Sequence, residues 1–274
     1  MTAALALARR HGALAIGGLL LAGFVLLALC GPWLGGADAQ AMLPGQRLRA
    51  PSALHWFGSD RLGRDVFARV VHGSGASLAV GLAVALLSGL VGTLLGLLAG
   101  YVRWLDGIIM RVMDGVMAIP GIMVAIALVS VLDAGLGTVI AAIGINDIPR
   151  VARLVRGALL SLREEPYVEA ATMLGTSGAG IVFRHMLPGV LAPLAVLCTH
   201  IAASAMLLEA TLSFLGLGLP PDIPSWGNIM ADGRTLFRVA PWIILFPGLT
   251  LASAVFAINL LGDGLQDALE ARRG

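Results

Sequence analysis

Between Gly12 and Cys30 the chain carries no charged side chain. Comparable, largely apolar runs return at Leu78–Tyr101, Gly107–Leu132, from Thr138 onward, at Leu191–Gly216 and at Trp242–Leu261. Each is about 20 residues long, the length of helix needed to cross the roughly 30 Å hydrocarbon layer of a bilayer. No water-soluble domain of this size accommodates six such segments. Only 12% of residues are charged and 58% are hydrophobic, where soluble domains carry about 25% charged residues. The chain is therefore predicted to be an all-α, polytopic integral membrane protein with six spans. Its 36 glycines and 5% aromatics favour helices that approach closely through small residues.

Arg9, Arg10 and His11 precede the first run, which places the N-terminus in the cytoplasm. A cleaved signal peptide is the competing reading. Leu27–Cys30 hints at a lipoprotein cleavage box, but leucine before the cysteine fits poorly and no soluble domain follows. An uncleaved first helix is preferred. Counted on a six-span topology, eleven arginines lie inside against seven outside, in the direction of the positive-inside rule.

The interval Gly31–Ser77 leans polar. Asp60 is read as a helix N-cap, with Val66, Phe67, Val70 and Val71 on one face beyond it. Asp60, Arg61, Arg64 and Asp65 are read as a solvated, salt-bridged surface. Gly92 and Gly96 have the spacing of a close helix contact. Arg111 and Asp114 lie early in the third span, where charge is expensive, and Pro120 predicts a kink. The fourth span breaks its apolar pattern at Asn146–Pro149, then continues as an amphipathic helix carrying Arg150, Arg153 and Arg156. Asp147 is read as an interfacial charge, with a buried pair as the alternative. His200 is read as a helix–helix hydrogen-bonding group rather than a ligand. Glu209 is a functional candidate or an interfacial carboxylate, and Trp226 and Trp242 are read as interface anchors. Asp114, Asp147, His200 and Glu209 are thus the candidates for a translocation path or for structural polar contacts.

Catalytic signatures are missing. The sequence has no GxSxG and no HExxH, and all 18 basic residues are arginine. Without lysine the phosphate-cradling GxxxxGK[ST] cannot occur, so the chain is not expected to hydrolyse ATP or act as an enzyme. Cys30 and Cys198 lack redox or metal spacing, and the five histidines are scattered. No cofactor, metal or nucleic acid is implied.

What remains is Glu165–Leu191, a polar, small-residue island between two apolar segments, with Arg153, Arg156, Arg163 and Arg184 around it. It reads Glu169-Ala170-Ala171, then Gly175, then Leu187-Pro188. That spacing resembles the EAA motif of membrane subunits of binding-protein-dependent ABC importers, with His185 standing where isoleucine is usual. The likeness extends over almost the whole chain to the second, C-type permease of the dipeptide, oligopeptide and nickel importers. It is carried by FGSDRLGRDVFARVVHGSGASL, GYVRWLDGIIMRVMDGVMAIP, EATLSFLGLGLPPDIPSWGNIM and FPGLTLASAVFAINLLGDGLQDALEARR. Departures are Ser59 for threonine, Gly189 for asparagine, and Asn146-Asp147-Ile148 where an aromatic-rich run usually stands. The last touches the cavity-forming fourth helix and bears on substrate.

The resemblance implies a type I ABC importer transmembrane domain with a cytoplasmic coupling helix. Residues 1–76 would hold the first helix and an extracytoplasmic segment, 77–265 the permease core with the EAA loop at about 161–188, and 266–274 a cytoplasmic tail. The residues implied in coupling to an ATPase are Glu165, Tyr167, Glu169, Ala170, Ala171, Leu174, Gly175, His185, Leu187 and Pro188. Ala170, Ala171, Met173 and Leu174 would form its apolar face. With histidine at position 185, the hydrophobic docking side chain would come from Ile181, Phe183 or Met186 instead. The implied partners are a B-type permease in a heterodimer, one or two ABC ATPase subunits and an extracytoplasmic substrate-binding protein. The implied location is the bacterial inner membrane. Di- or oligopeptide is the first substrate implied and a nickel chelate the second. An ion-coupled transporter would need mid-span carboxylates better placed than Asp114 and Glu209, and a scaffold protein would leave the EAA spacing without a purpose.

Overall fold

The computed structural model describes residues 12–34 and 39–270. Arg9, Arg10, His11, Arg272 and Arg273, on which the topology argument leans, lie outside the described residues. Nine α-helices follow one another among the residues described, with a single 3₁₀ turn at Pro44–Gln46 between the first two. They are α1 (Gly12–Leu34), α2 (Val66–Tyr101), α3 (Arg103–Met117), α4 (Gly121–Leu132), α5 (Leu136–Leu162), α6 (Pro166–Met173), α7 (Gly178–Leu215), α8 (Trp226–Gly233) and α9 (Trp242–Glu270).

The expected spans map onto these helices with three changes. Four helices, α1, α2, α7 and α9, are long and apolar enough to cross a membrane by themselves. The third expected span is two helices, α3 and α4, which meet at 84°. Pro120 explains the break, because it has no N–H for the preceding turn and its ring disfavours helical geometry at Ile119. The fourth, α5, is one continuous helix that carries Asp147, Arg150, Arg153 and Arg156 and contains Pro149; it is not among the helices apolar enough to cross by themselves, so four or five of the six expected spans have that character. Lastly, α2 and α7 reach well past the membrane thickness, at 36 and 38 residues. α7 begins at Gly178 rather than Leu191 and widens to π-helical geometry over Ile181–Met186.

α2 forms the axis of the bundle, packed along α5, α7 and α1. Gly92 and Gly96 permit the closest of these approaches. A Cβ on Gly92 would lie 2.5 Å from the Val151 Cβ, and one on Gly96 would lie 2.7 Å from the Ala152 carbonyl oxygen. The GxxxG spacing is thus a backbone-to-backbone contact with α5. One apolar core fills the space between α2, α4, α5 and α7, and a second joins α2, α7, α8 and α9 at the other end.

Two local expectations are corrected there. Asp65, not Asp60, caps α2 by accepting from the Ala68 N–H at 2.9 Å. Trp226 is not an interface anchor. It is fully buried and donates its indole N–H to the Val70 carbonyl at 3.0 Å. An indole placed in a core needs such an acceptor. The segment expected as a plain outer loop folds back as α8, whose start is fixed by the Ser225 hydroxyl accepting from the Asn228 N–H. Trp242 donates to the Ser59 carbonyl at 3.1 Å, tying α9 to the segment before α2.

Candidate functional site: an exposed helical loop and a polar path beside it

Glu165 and Pro166 start α6, where proline at the first helical position loses no intrahelical bond and Glu169 puts negative charge in the first turn. The helix ends in a Schellman turn. Gly175 has φ +78°, its N–H bonds the Thr172 carbonyl at 3.0 Å, and the Thr176 N–H bonds the Ala171 carbonyl at 3.1 Å. Glycine is the residue that tolerates that backbone. Ser177 then caps α7 by accepting from the Gly180 N–H.

Val168 and Ala171, one turn apart, are buried against the bundle. Tyr167, Ala170, Met173 and Leu174 face outward, with Met173 79% and Leu174 87% exposed. Ala171 therefore does not belong to the outward apolar face expected for it. Of the three apolar side chains expected to serve in place of position 185, Phe183 is exposed, Ile181 half-buried and Met186 part of the core. His185 itself is half-buried, and its carbonyl accepts from the Tyr167 hydroxyl at 3.4 Å. Leu187 is half-buried and Pro188 exposed. The loop thus presents a short helix with apolar side chains outward and the carboxylates Glu164, Glu165 and Glu169 at its edge, all exposed.

This loop rests on the end of α2. The Tyr101 hydroxyl occupies the position that a Cβ on Gly178 would take. Gly100, Tyr101, Val168, Glu169 and Met186 border a cavity of about 460 Å³ at the junction.

Further along, a ladder of ion pairs runs up α5. Arg156 makes a two-pronged pair with Asp106, its Nη2–Oδ2 contact 2.6 Å. Arg153 pairs with Asp114 at 2.5 Å. Both lash α5 to α3, so Asp114 pairs across helices and not with Arg111. Arg150 instead pairs with Asp147 on its own helix at 3.1 Å. Asp147 is buried, which decides for the buried pair over the interfacial charge. Asn146 donates to the Gly121 carbonyl at 3.3 Å and the Ala142 carbonyl at 3.1 Å, bracing the α3–α4 break.

The other two path candidates make contacts between helices. His200 meets Asn259 of α9 at 3.1 Å, the helix–helix contact expected. Glu209 is completely buried, and one carboxylate oxygen accepts from Ser213 at 2.7 Å and Ser225 at 2.9 Å. It pins the start of α8 onto α7 and is not interfacially exposed.

A polar centre missed in the sequence lies at the end of the bundle opposite α6. Asp60 is fully buried, accepting from Arg64 Nε at 2.6 Å and from Arg69 Nη1 at 2.9 Å. Arg64 and Arg69 both reach Asp232 of α8, at 2.7 and 2.8 Å. Arg61 alone remains largely exposed, 3.3 Å from Asp232. The solvated-surface reading of Asp60, Arg64 and Asp65 therefore fails. Asp65 caps α2 and meets His55 at 2.7 Å. The available signal was the alternation of acid and base directly before an apolar span, where burial of one charge requires a partner.

A family model described as binding-protein-dependent transport system inner membrane component matches residues 92–274. The chain is similar to a probable peptide ABC transporter permease protein of Sinorhizobium fredii. The two are 51% identical over 266 residues, which is 97% of this chain and 91% of that protein. It is 42% identical to a dipeptide transport system permease protein of Alkalihalophilus pseudofirmus, over 94% of this chain and 85% of that protein. Among solved structures, inward-facing conformations of the MetNI methionine ABC transporter share the fold. The TM-score is 0.61 at 21% identity, covering 73% of this chain and 95% of that one.

Proposed function

The chain belongs to the family of binding-protein-dependent transport system inner membrane components, and from that premise we propose that it is the permease subunit of a peptide importer driven by separate ABC ATPases. Membership makes it a multi-pass inner membrane protein and a transport subunit rather than an enzyme. With a second, B-type permease it would line the path for di- or oligopeptides delivered by an extracytoplasmic binding protein. The peptide reading is supported by the peptide and dipeptide transport for which the relatives are named.

The observation that carries the mechanism is α6. A short, rigidly capped helix with Met173 and Leu174 held out in solvent is unfavourable for an isolated chain and suited to a groove on a partner. On this reading α6 lies in the cytoplasm, and so do both termini. Closure of the ATPase pair pushes α6. The Tyr101–Gly178 contact passes that push to α2 and α7, and the ion-pair ladder between α3 and α5 keeps the core moving as a block. Glu165, Tyr167, Glu169, Ala170, Leu174 and Gly175 form or shape the docking helix. Ala171, His185 and Leu187 seat it on the bundle, and Pro188 lies exposed just beyond.

The test is a complex reconstituted in proteoliposomes with a deletion of Glu169–Gly175. Peptide uptake and peptide-stimulated ATP hydrolysis should both vanish while the permease pair still assembles. Normal stimulated hydrolysis in that deletion contradicts the assignment.

A further inference from the structure

Resting on the permease reading, we infer that Asp147 and Arg150 form a charge-exchange site for zwitterionic short peptides, in a cavity opened by the break between α3 and α4. The cavity measures about 330 Å³ and is bordered by Pro120, Gly121, Asn146, Asp147, Arg150 and Ser204, among others. That volume falls in the range of about 300–1,000 Å³ occupied by small-molecule sites.

Depth is the first argument. Along α5, Asp147 lies about 16 Å from Leu136 and about 22 Å from Leu162, at 1.5 Å per residue. Asp147 and Arg150 are therefore near the middle of α5, and on the six-span reading near mid-bilayer. Charges at that depth face protein or a watered cavity rather than lipid. Arg150 is 58% exposed and borders the cavity.

Architecture is the second. Arg153 and Arg156 pair across to α3 and hold two helices together. The Asp147–Arg150 pair is three residues apart on one helix and ties nothing to anything. A same-helix pair adds little to stability, while burying a carboxylate is costly. Packing does not account for it.

Chemistry is the third. With the site empty, Asp147 and Arg150 neutralise each other. A peptide with free ends carries one ammonium and one carboxylate. It replaces the internal pair with two external ones, ammonium on Asp147 and carboxylate on the guanidinium, whose five N–H donors suit a bidentate contact. Asn146 directs its amide N–H groups to backbone carbonyls, so its own carboxamide oxygen is the acceptor left for a peptide N–H. The wall stays neutral before and after, which favours an overall neutral solute over a bare metal cation.

The test uses the assembled transporter with Cys30 and Cys198 replaced by alanine and a single Ser204→Cys reporter. A membrane-impermeant maleimide labels the reporter. Dialanine at about 10 mM, roughly the upper end of weak small-solute affinities, should slow labelling at least fivefold. N-acetyl-dialanine amide, which has the same side chains and no terminal charge, should leave the rate unchanged. Asp147→Asn and Arg150→Gln should each remove the protection by dialanine. Equal protection by both peptides, protection that survives either substitution, no protection, or no labelling in the assembled complex would each overturn the inference. ATP-driven uptake measured on the same preparation separates the two readings. Uptake without protection refutes the site alone, whereas ATP hydrolysis without uptake of any solute refutes the permease assignment.

Discussion

Asp60→Asn removes one charge from the buried cluster before α2 and leaves the shape unchanged. The asparagine oxygen still accepts from the backbone N–H groups of Leu62 and Arg64, which lie 2.8 and 2.9 Å from Asp60 Oδ1. The asparagine NH2 then stands in place of Asp60 Oδ2 and cannot accept, so both arginine hydrogen bonds are lost, Arg64 Nε at 2.6 Å and Arg69 Nη1 at 2.9 Å. Hydrogen bonds to charged groups contribute about 1.5–3 kcal/mol each, giving about 3–6 kcal/mol. Breaking a buried ion pair costs about 3–5 kcal/mol, so the two figures agree. At roughly 2–4 °C per kcal/mol for a chain of this class, the melting temperature in detergent should fall by about 6–20 °C. Tryptophan fluorescence is a suitable probe, since Trp226 and Trp242 both anchor the segments that the cluster joins. Arg61→Ala is the control, because a largely exposed pair is worth about 0–1 kcal/mol. If the two variants melt within a degree of each other, the cluster does not hold α8 to α2 and the reasoning is wrong.

Met173→Ser with Leu174→Ser should weaken association with the ATPase subunits at least a hundredfold in a direct binding assay. Burial of each side chain contributes about 1.5–3 kcal/mol, and about 1.4 kcal/mol is tenfold. Gly178→Ala must displace the Tyr101 hydroxyl and is expected to lower peptide-stimulated ATP hydrolysis, while Gly178→Ala with Tyr101→Phe, which removes that hydroxyl, restores part of it. Gly92→Val drives two methyls into Val151 and should destabilise the bundle by about 1–3 kcal/mol, seen as a lower melting temperature. Trp226→Phe keeps most of the buried ring and loses the bond to Val70, a loss of about 1 kcal/mol in the same measurement.

The membrane class, most of the helical crossings and the α6 loop were legible because each rests on a local signal: long apolar runs, and a polar island with Glu169-Ala170-Ala171 followed by Gly175. The Gly92–Gly96 contact was legible as a spacing, though not its partner. Other features depend on residues far apart in the chain. Asp60 acquires its meaning from the arginines that join it to Asp232, far along the chain in α8, and Trp226 from Val70. Asp147 looked interfacial because the arginines after it suggested a headgroup region. In the structure those arginines are neutralised by Asp106 and Asp114, so the helix stays within the bundle. The 84° break was under-read as a kink, since a single proline does not reveal how far the helix after it will turn.

The decisive measurement is ATP-dependent accumulation of labelled dialanine in proteoliposomes containing this chain, a B-type permease, the ATPases and the binding protein. Accumulation should require every component, stop when this chain is omitted, and be unaffected by a nickel chelate. Accumulation that continues without this chain, or a complete complex that accumulates the nickel chelate and not the peptide, would contradict the peptide-permease assignment.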